Sequence, residues 1–170
     1  MIQEKTARKS YASSSHIVFP NETNVLGNLM GGQLLNWMDM TAGISAHRHS
    51  RRVVVTASVN NVSFQHSIAL GDIVTLEAQV SRAFKSSMEV FIDVWVEHHR
   101  TGEQKKCNEA NYIFVAVDQQ GEPIEVPDLV PETEVEKQRH RDALQRRQLS
   151  LLLAGKIRPE EASEIKAMFS

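Results

Sequence analysis

The chain holds a single cysteine, Cys107. That excludes an internal disulfide and fits a reducing compartment, so a cytoplasmic location is expected. Cys107 lies in a strand pattern with no base beside it in sequence, so it reads as a structural thiol. Long apolar runs are also missing. None approaches the ~18 residues of a membrane span, and the opening MIQEKTARKS is too polar for a secretory leader. No membrane partner is expected. Neither sign of charge dominates: the formal net charge is −2, which leaves no broad basic field for nucleic acid. Internal repeats and low-complexity tracts are absent. GNLMGGQ has glycines but no Gly-Lys-Ser/Thr after them, so it is not a nucleotide-phosphate loop.

What is present is an ordinary globular composition. Hydrophobic residues make up 41% and charged residues 24% of the chain. At 170 residues, one domain with a real core is expected. The chain is organised around residues 24–43, NVLGNLMGGQLLNWMDMTAG. This reads as a polar loop, a diglycine, then a helix from near Gly32 to about His49. Leu34, Leu35, Trp37, Met38, Met40, Ala42, Ile44 and Ala46 give that helix a broad apolar face. Asp39 sits within it, on a stripe with Leu35, Gly43 and Ala46. A carboxylate among small and apolar residues costs free energy unless it is paired or used.

Strands surround the helix in sequence. Residues 1–12 are polar and are expected to fray. Residues 13–19 form a short strand candidate, stopped by Pro20. VVVTASVNNVSF is β-branched and reads as a strand, with Val53, Val55, Ala57 and Val59 facing opposite to Val54, Thr56, Ser58 and Asn60. Three long strands follow. Val74, Leu76, Ala78 and Val80 alternate with Thr75, Glu77, Gln79 and Ser81, giving one buried and one wet face. Met88, Val90, Ile92, Val94 and Val96 repeat the pattern, and KKCNEANYIFVAVD carries the last strand. The fold class is α+β: a long antiparallel sheet wrapped around a central helix. Residues 13–127 make the domain, and residues 128–170 a C-terminal helical extension. In the extension, PETEVEKQRHRDALQRRQLSLLLAGK begins acidic and turns basic, as a helix dipole prefers. Gly155 suits the C-cap, and Pro159 opens another short helix.

No metal site is expected. His47 and His49, two apart on a helix, lie on different faces. His98 and His99, adjacent on a strand, point to opposite sides.

NVLGNLMGGQLLNWMD, followed by VVTASVNNVSFQ, SRAFKSSMEV and AVDQQGEPIEVPDLVPETEVEK, resembles the acyl-CoA thioesterases of the hotdog superfamily. The nearest group contains the cytosolic brain-type acyl-CoA hydrolase and bacterial single-domain relatives. The likeness covers roughly residues 14–140. It implies a homodimer whose sheets join into one, and a trimer of such dimers. It implies a fatty acyl-CoA substrate and no cofactor, since coenzyme A belongs to substrate and product. In double-domain relatives an Asn comes from one hotdog and an Asp from the other; Asn24 and Asp39 match those motif positions.

Thioester hydrolysis needs an activated water and a stabilised oxyanion. Asp39 suits the general base or the nucleophile. Gly31 and Gly32 open a helix whose unpaired N–H groups and positive dipole end can receive developing negative charge. The Asn24 amide can orient water or donate to the carbonyl. Each has a plainer alternative. A lone Asp in a helix is usually solvated or salt-bridged, Asn24 before Gly27 suits a turn, and a diglycine makes a tight helix start. For coenzyme A, the resemblance places the Arg82, Lys85, Ser86 and Ser87 turn near the nucleotide, where the plainer reading is a solvated hairpin tip. Thr56, Ala57 and Ser58 resemble the strand segment running beside the pantetheine. A non-catalytic acyl-CoA-binding regulator is the alternative function, but it needs no base and no DNA-binding segment precedes the domain. A hotdog dehydratase would carry a His-centred motif at the helix start, and none is found.

Overall fold

The computed structural model describes residues 3–60 and 62–170. In chain order the strands are β1 (Lys5–Thr6), β2 (Ala12–Ile17), β3 (Val53–Asn60), β4 (Ile73–Ala83), β5 (Ser87–Glu97), β6 (Gln104–Val117) and β7 (Leu129–Val130). The helices are α1 (Gly31–Ser50), α2 (Glu134–Leu153) and α3 (Ser163–Ala167). Five strands form an antiparallel sheet in the order β2-β4-β5-β6-β3, and β1 pairs with β7 in parallel. The sheet curls around α1, the hotdog arrangement.

The alternating strand positions meet the apolar side of α1. Val74, Leu76, Met88, Val90, Ile92 and Val94 are fully buried there, against Met38, Ala42 and Ala46 of the helix. Each such side chain contributes ~1.5–3 kcal/mol by leaving water. α1 ends at Arg51, which adopts the left-handed region (φ 55°) and returns its N–H to the His47 carbonyl.

Four expectations need correction. Met40 and Ile44 do not join the core; they are 52% and 47% exposed. The sheet reaches only one side of α1, and they lie on the side it does not cover. The simple alternation in β3 fails because its register against β6 shifts between Thr56 and Ser58. A bulge at Ala57 changes the facing of the residues beyond it. Residues 3–12 are not frayed. Lys5 and Thr6 pair with Leu129 and Val130, Ala7 is buried, and the buried Ser10 hydroxyl donates to the Ala7 carbonyl and accepts from the Val80 N–H. The outer face of β4 and β5 is not wet along its whole length either. α2 lies across it: Arg146 makes a two-pronged bond to buried Glu89 (2.9 and 2.8 Å), and Arg139 reaches Asp93 at 3.0 Å. α2 is placed by a capping box, in which Thr133 accepts from the Glu136 N–H and Glu136 accepts from that of Thr133.

Candidate active site

The stripe along α1 that carries Asp39 opens on a cavity of about 640 Å³. Gly32, Leu35 and Asp39 line it from the helix, Val59 from β3, Tyr112 from β6, and Val62 and Phe64 from the loop after β3. Asp39 thus lies in a largely apolar recess beside the exposed edge strand. One polar contact orients it: the Thr56 hydroxyl donates to Asp39 Oδ1 at 2.7 Å. Thr56 is the last residue before the bulge, so the kink in β3 helps aim its side chain at the helix.

Tyr112 closes the back of the recess. It is 1% exposed, and its hydroxyl donates to the Leu35 carbonyl at 3.4 Å. That carbonyl is the helical acceptor for the Asp39 N–H, four residues on, so the phenol lies next to the turn that carries the carboxylate. Burial, and secondarily the Asp39 charge, push the Tyr112 phenol up to about 12. It is therefore a protonated donor throughout the neutral range.

The two glycines that open α1 differ. A Cβ at Gly31 would come within 3.2 Å of the Phe64 ring, so this glycine permits the loop to pack on the helix start. A Cβ at Gly32 would meet nothing within 4 Å, and Gly32 faces the Asp39 cavity. First-turn N–H groups have no intrahelical acceptor, so they can donate to a group in that space.

Asn24 lies elsewhere. It lines a second cavity, of about 390 Å³, with Gly31, Phe64 and His66. Its Oδ1 accepts from the backbone N–H groups of Leu26 (2.9 Å) and Asn28 (3.2 Å). This is the turn-forming role that asparagine favours, and it leaves the amide N–H₂ as the group on offer. Within one chain, Asn24 and Asp39 line different cavities.

The remaining candidates divide. Thr56, Ala57 and Ser58 lie on exposed β3, at the sheet edge. Arg82 is turned to α2, where it donates to the His140 carbonyl (2.9 Å) and lies 3.1 Å from His140 Nδ1. Ser87 is buried, Ser86 is half-buried, and Lys85 is exposed at the β4–β5 turn. Of the histidines, His47 is exposed and bonded to the Arg52 carbonyl, whereas His49 is buried against the Pro127 carbonyl. His98 and His99 correct the expectation of opposite faces. β5 ends at Glu97, so both lie in a turn, and their rings are 4.9 Å apart. Tyr112 and Phe64 are cavity residues that the motifs did not single out. The available signal for Tyr112 was its inward phase with Ala110, Phe114 and Ala116.

Comparisons with known proteins agree on one family. Residues 26–103 match the thioesterase superfamily model. The chain is 42% identical over 144 residues to YkhA of Bacillus subtilis, named as an uncharacterized acyl-CoA thioester hydrolase, covering 85% of this chain and 84% of that one. It is 37% identical over 134 residues to the rat cytosolic acyl coenzyme A thioester hydrolase; the match covers 76% of this chain but 35% of that longer protein. Among solved structures, an apo-hexameric acyl-CoA thioesterase superposes with a TM-score of 0.86 at 35% identity, over 90% of this chain and 98% of that one. A Staphylococcus aureus acyl-CoA hydrolase in complex with butyryl coenzyme A, coenzyme A and its disulfide superposes with a TM-score of 0.81 at 33% identity, over 98% and 99%. Other structures of that hydrolase are single alanine variants at an asparagine, an aspartate and a threonine. Those three positions are fifteen and seventeen residues apart in that protein.

Proposed function

This chain belongs to the acyl-CoA thioester hydrolase family of the thioesterase superfamily, and from that premise we propose that it hydrolyses fatty acyl-CoA to free fatty acid and coenzyme A. The observation that carries the reading is Asp39, oriented by Thr56 in an apolar recess beside the open helix start at Gly32. Asn24, Asp39 and Thr56 have the residue types and the spacing of the three varied positions in the S. aureus hydrolase. Asp39 takes a proton from water as the water oxygen attacks the thioester carbon. The carbonyl oxygen gains negative charge and is met by N–H groups at Gly31–Gly32. The carbon–sulfur bond then breaks, and coenzyme A leaves as a thiolate that needs little protonation. Coenzyme A enters and leaves with the substrate, so no resident cofactor is required. Lys85, with Ser86 at the same turn, supplies polar groups for the nucleotide, and the β3 backbone at Thr56, Ala57 and Ser58 runs beside the pantetheine.

The site is shared between two protomers in this reading. The β3 edge exposes Val53, Val55 and Val59, and α1 exposes Met40 and Ile44 on the same unfinished side. An unpaired apolar edge of this length favours a second copy. Pairing there brings Asn24 of one protomer to Asp39 of the other, and three dimers complete a hexamer. Residues 13–127 carry the chemistry, and residues 128–170 brace the back of the sheet. A cytosolic setting agrees with the rat relative's name and with the absence, among the described residues, of a helix able to cross a membrane.

Thiol release from a panel of acyl-CoAs tests the activity directly. Asp39→Asn is expected to lower kcat by ~10²-fold or more, the scale of lost general-base catalysis, with the fold intact. Mixing inactive Asn24→Ala and Asp39→Ala variants under subunit exchange tests the shared site. About half the dimers are then mixed, each with one complete site, so roughly a quarter of wild-type activity returns if the sites act independently. Complete exchange without recovery rules the shared site out.

A further inference from the structure

Away from the cleft, the described residues bring together a set of nitrogen and oxygen donors. Asp72 stands just before β4, and His98 and His99 stand just after β5. One donor atom from each lies within 4.8 Å of the other two. The set is held in place by its surroundings. Asp72 is 4% exposed; its Oδ1 accepts from the His99 backbone N–H (3.1 Å) and lies 2.7 Å from His99 Nδ1, while its Oδ2 accepts from the Ala69 N–H (3.0 Å). Gly71, at φ +87°, closes directly on the His99 ring: a Cβ there would lie 3.4 Å from it. The His98 ring lies beside that of His99, tilted by 31°, with Nδ1 near the Thr101 N–H and hydroxyl (3.3 and 3.2 Å).

The hydrogen bonds occupy both oxygens of Asp72 and Nδ1 of both rings. Among the described residues they leave Nε2 of His98 and of His99 free, on two rings whose centroids are 4.9 Å apart. We infer that Asp72, His98 and His99 form a zinc-binding site, with one nitrogen from each imidazole, one carboxylate oxygen and water in the fourth position. Two imidazoles and a carboxylate suit a borderline metal such as Zn²⁺, whereas Mg²⁺ and Ca²⁺ prefer all-oxygen shells. Zinc bonds of about 2.0–2.1 Å put tetrahedral ligand atoms about 3.4 Å apart, so small side-chain rotations close the set around the ion. The Ala69 N–H orients the Asp72 carboxylate, and with His98 bound through Nε2 its Nδ1–H donates to the Thr101 hydroxyl, the outer partner that fixes that ring.

The site has a structural reach. The turn before Asp72 donates Leu70 N–H to the Gly27 carbonyl (3.0 Å), and its Ile68 carbonyl accepts from the Leu29 N–H (2.7 Å). Those residues belong to the loop that begins at Asn24. An ion bound here ties the β5–β6 turn to the support of that loop.

Zinc titrated into the chelator-treated full chain, followed by calorimetry, tests the site. One equivalent per chain is expected to bind with a Kd of about 10 µM or tighter, and to raise the melting temperature. His98→Asn, at a partly exposed position, is expected to fold and to lose 10–100-fold or more in affinity; His99→Gln does the same by a second route. His47→Gln, on exposed α1 surface, is expected to bind as wild type. No saturable binding below about 100 µM in the wild type overturns the site. So does equal affinity in folded His98→Asn and His99→Gln, or loss of binding in His47→Gln instead. All are binding readouts and do not depend on thioesterase activity.

Discussion

The two faces of the sheet use the same strands and are held by opposite means. On the inner face β5 presents Met88, Val90, Ile92 and Val94, all fully buried against α1 and its neighbours. On the outer face the same strand presents Glu89, 1% exposed, and Asp93, 9% exposed, to arginines of α2. Apolar burial is a net gain, since it releases ordered water at no polar cost. A buried ion pair exchanges hydration for pairing and comes out near even. The inner face therefore supplies stability, and the outer face supplies position: Arg146 has Glu89 to meet and Arg139 has Asp93, which sets where α2 lies along the sheet.

The largest test of this contrast is Ile92→Ala. At a fully buried site the lost transfer and the cavity together cost about 4 kcal/mol, within the usual 2–5. Urea unfolding would measure it, and a loss below about 1 kcal/mol would mean the inner face is not the main source of stability. Arg146→Ala comes next, at about 3 kcal/mol, because Glu89 is left buried with only the Ser81 hydroxyl (2.6 Å) as side-chain partner. The pair removed together behaves differently. Glu89→Leu with Arg146→Leu is expected to stay within about 1 kcal/mol of wild type, because neither charge is stranded. If the double variant is as unstable as Arg146→Ala, the ion pair itself stabilises and the contrast between the faces fails.

The inner face was legible in the sequence because period-two alternation on β4 and β5 carries its own phase, and residues 31–50 follow the helical period. Asp39 was legible as a carboxylate out of place. Less could be read of what depends on distant pairing. Glu89 and Asp93 look like ordinary solvent-facing acids until α2, some fifty residues later, covers them. The order of residues 3–12 depends on β7, more than a hundred residues away. Tyr112 reaches the Asp39 recess only because β6 places it there, and Thr56 reaches Asp39 through a bulge that no local signal marks. His98 and His99 continue the strand's sequence pattern, but β5 stops at Glu97 and both fall in the turn beyond it.

The smallest expected effect is a dependence on pH, and it separates the faces once more. His49 is fully buried where α1 ends, with Nε2 on the Pro127 carbonyl and Nδ1 without a partner among the described residues. Burial lowers its pKa below the ordinary 6.5. His16, stacked on Trp37 at 4.3 Å, is lowered by burial as well. On the outer side His140 of α2 is lowered by burial and then by Arg82 and Arg141. In each case the folded pKa lies below the unfolded one, so just below pH 6.5 the unfolded chain binds more protons. Stability is complete above that pH and falls as pH drops toward the folded values. The lowered carboxylates Asp72 and Glu136 act below their unfolded values, at more acid pH, and do not contribute in this window. The urea midpoint is therefore expected to fall between about pH 7.5 and pH 5.5. His140→Gln removes only the outer share. His49 is the most deeply buried of the three, so most of the slope should remain in that variant. A midpoint that does not change with pH in the wild type contradicts the linkage, and a slope abolished by His140→Gln would place the acid sensitivity under α2 rather than beside α1.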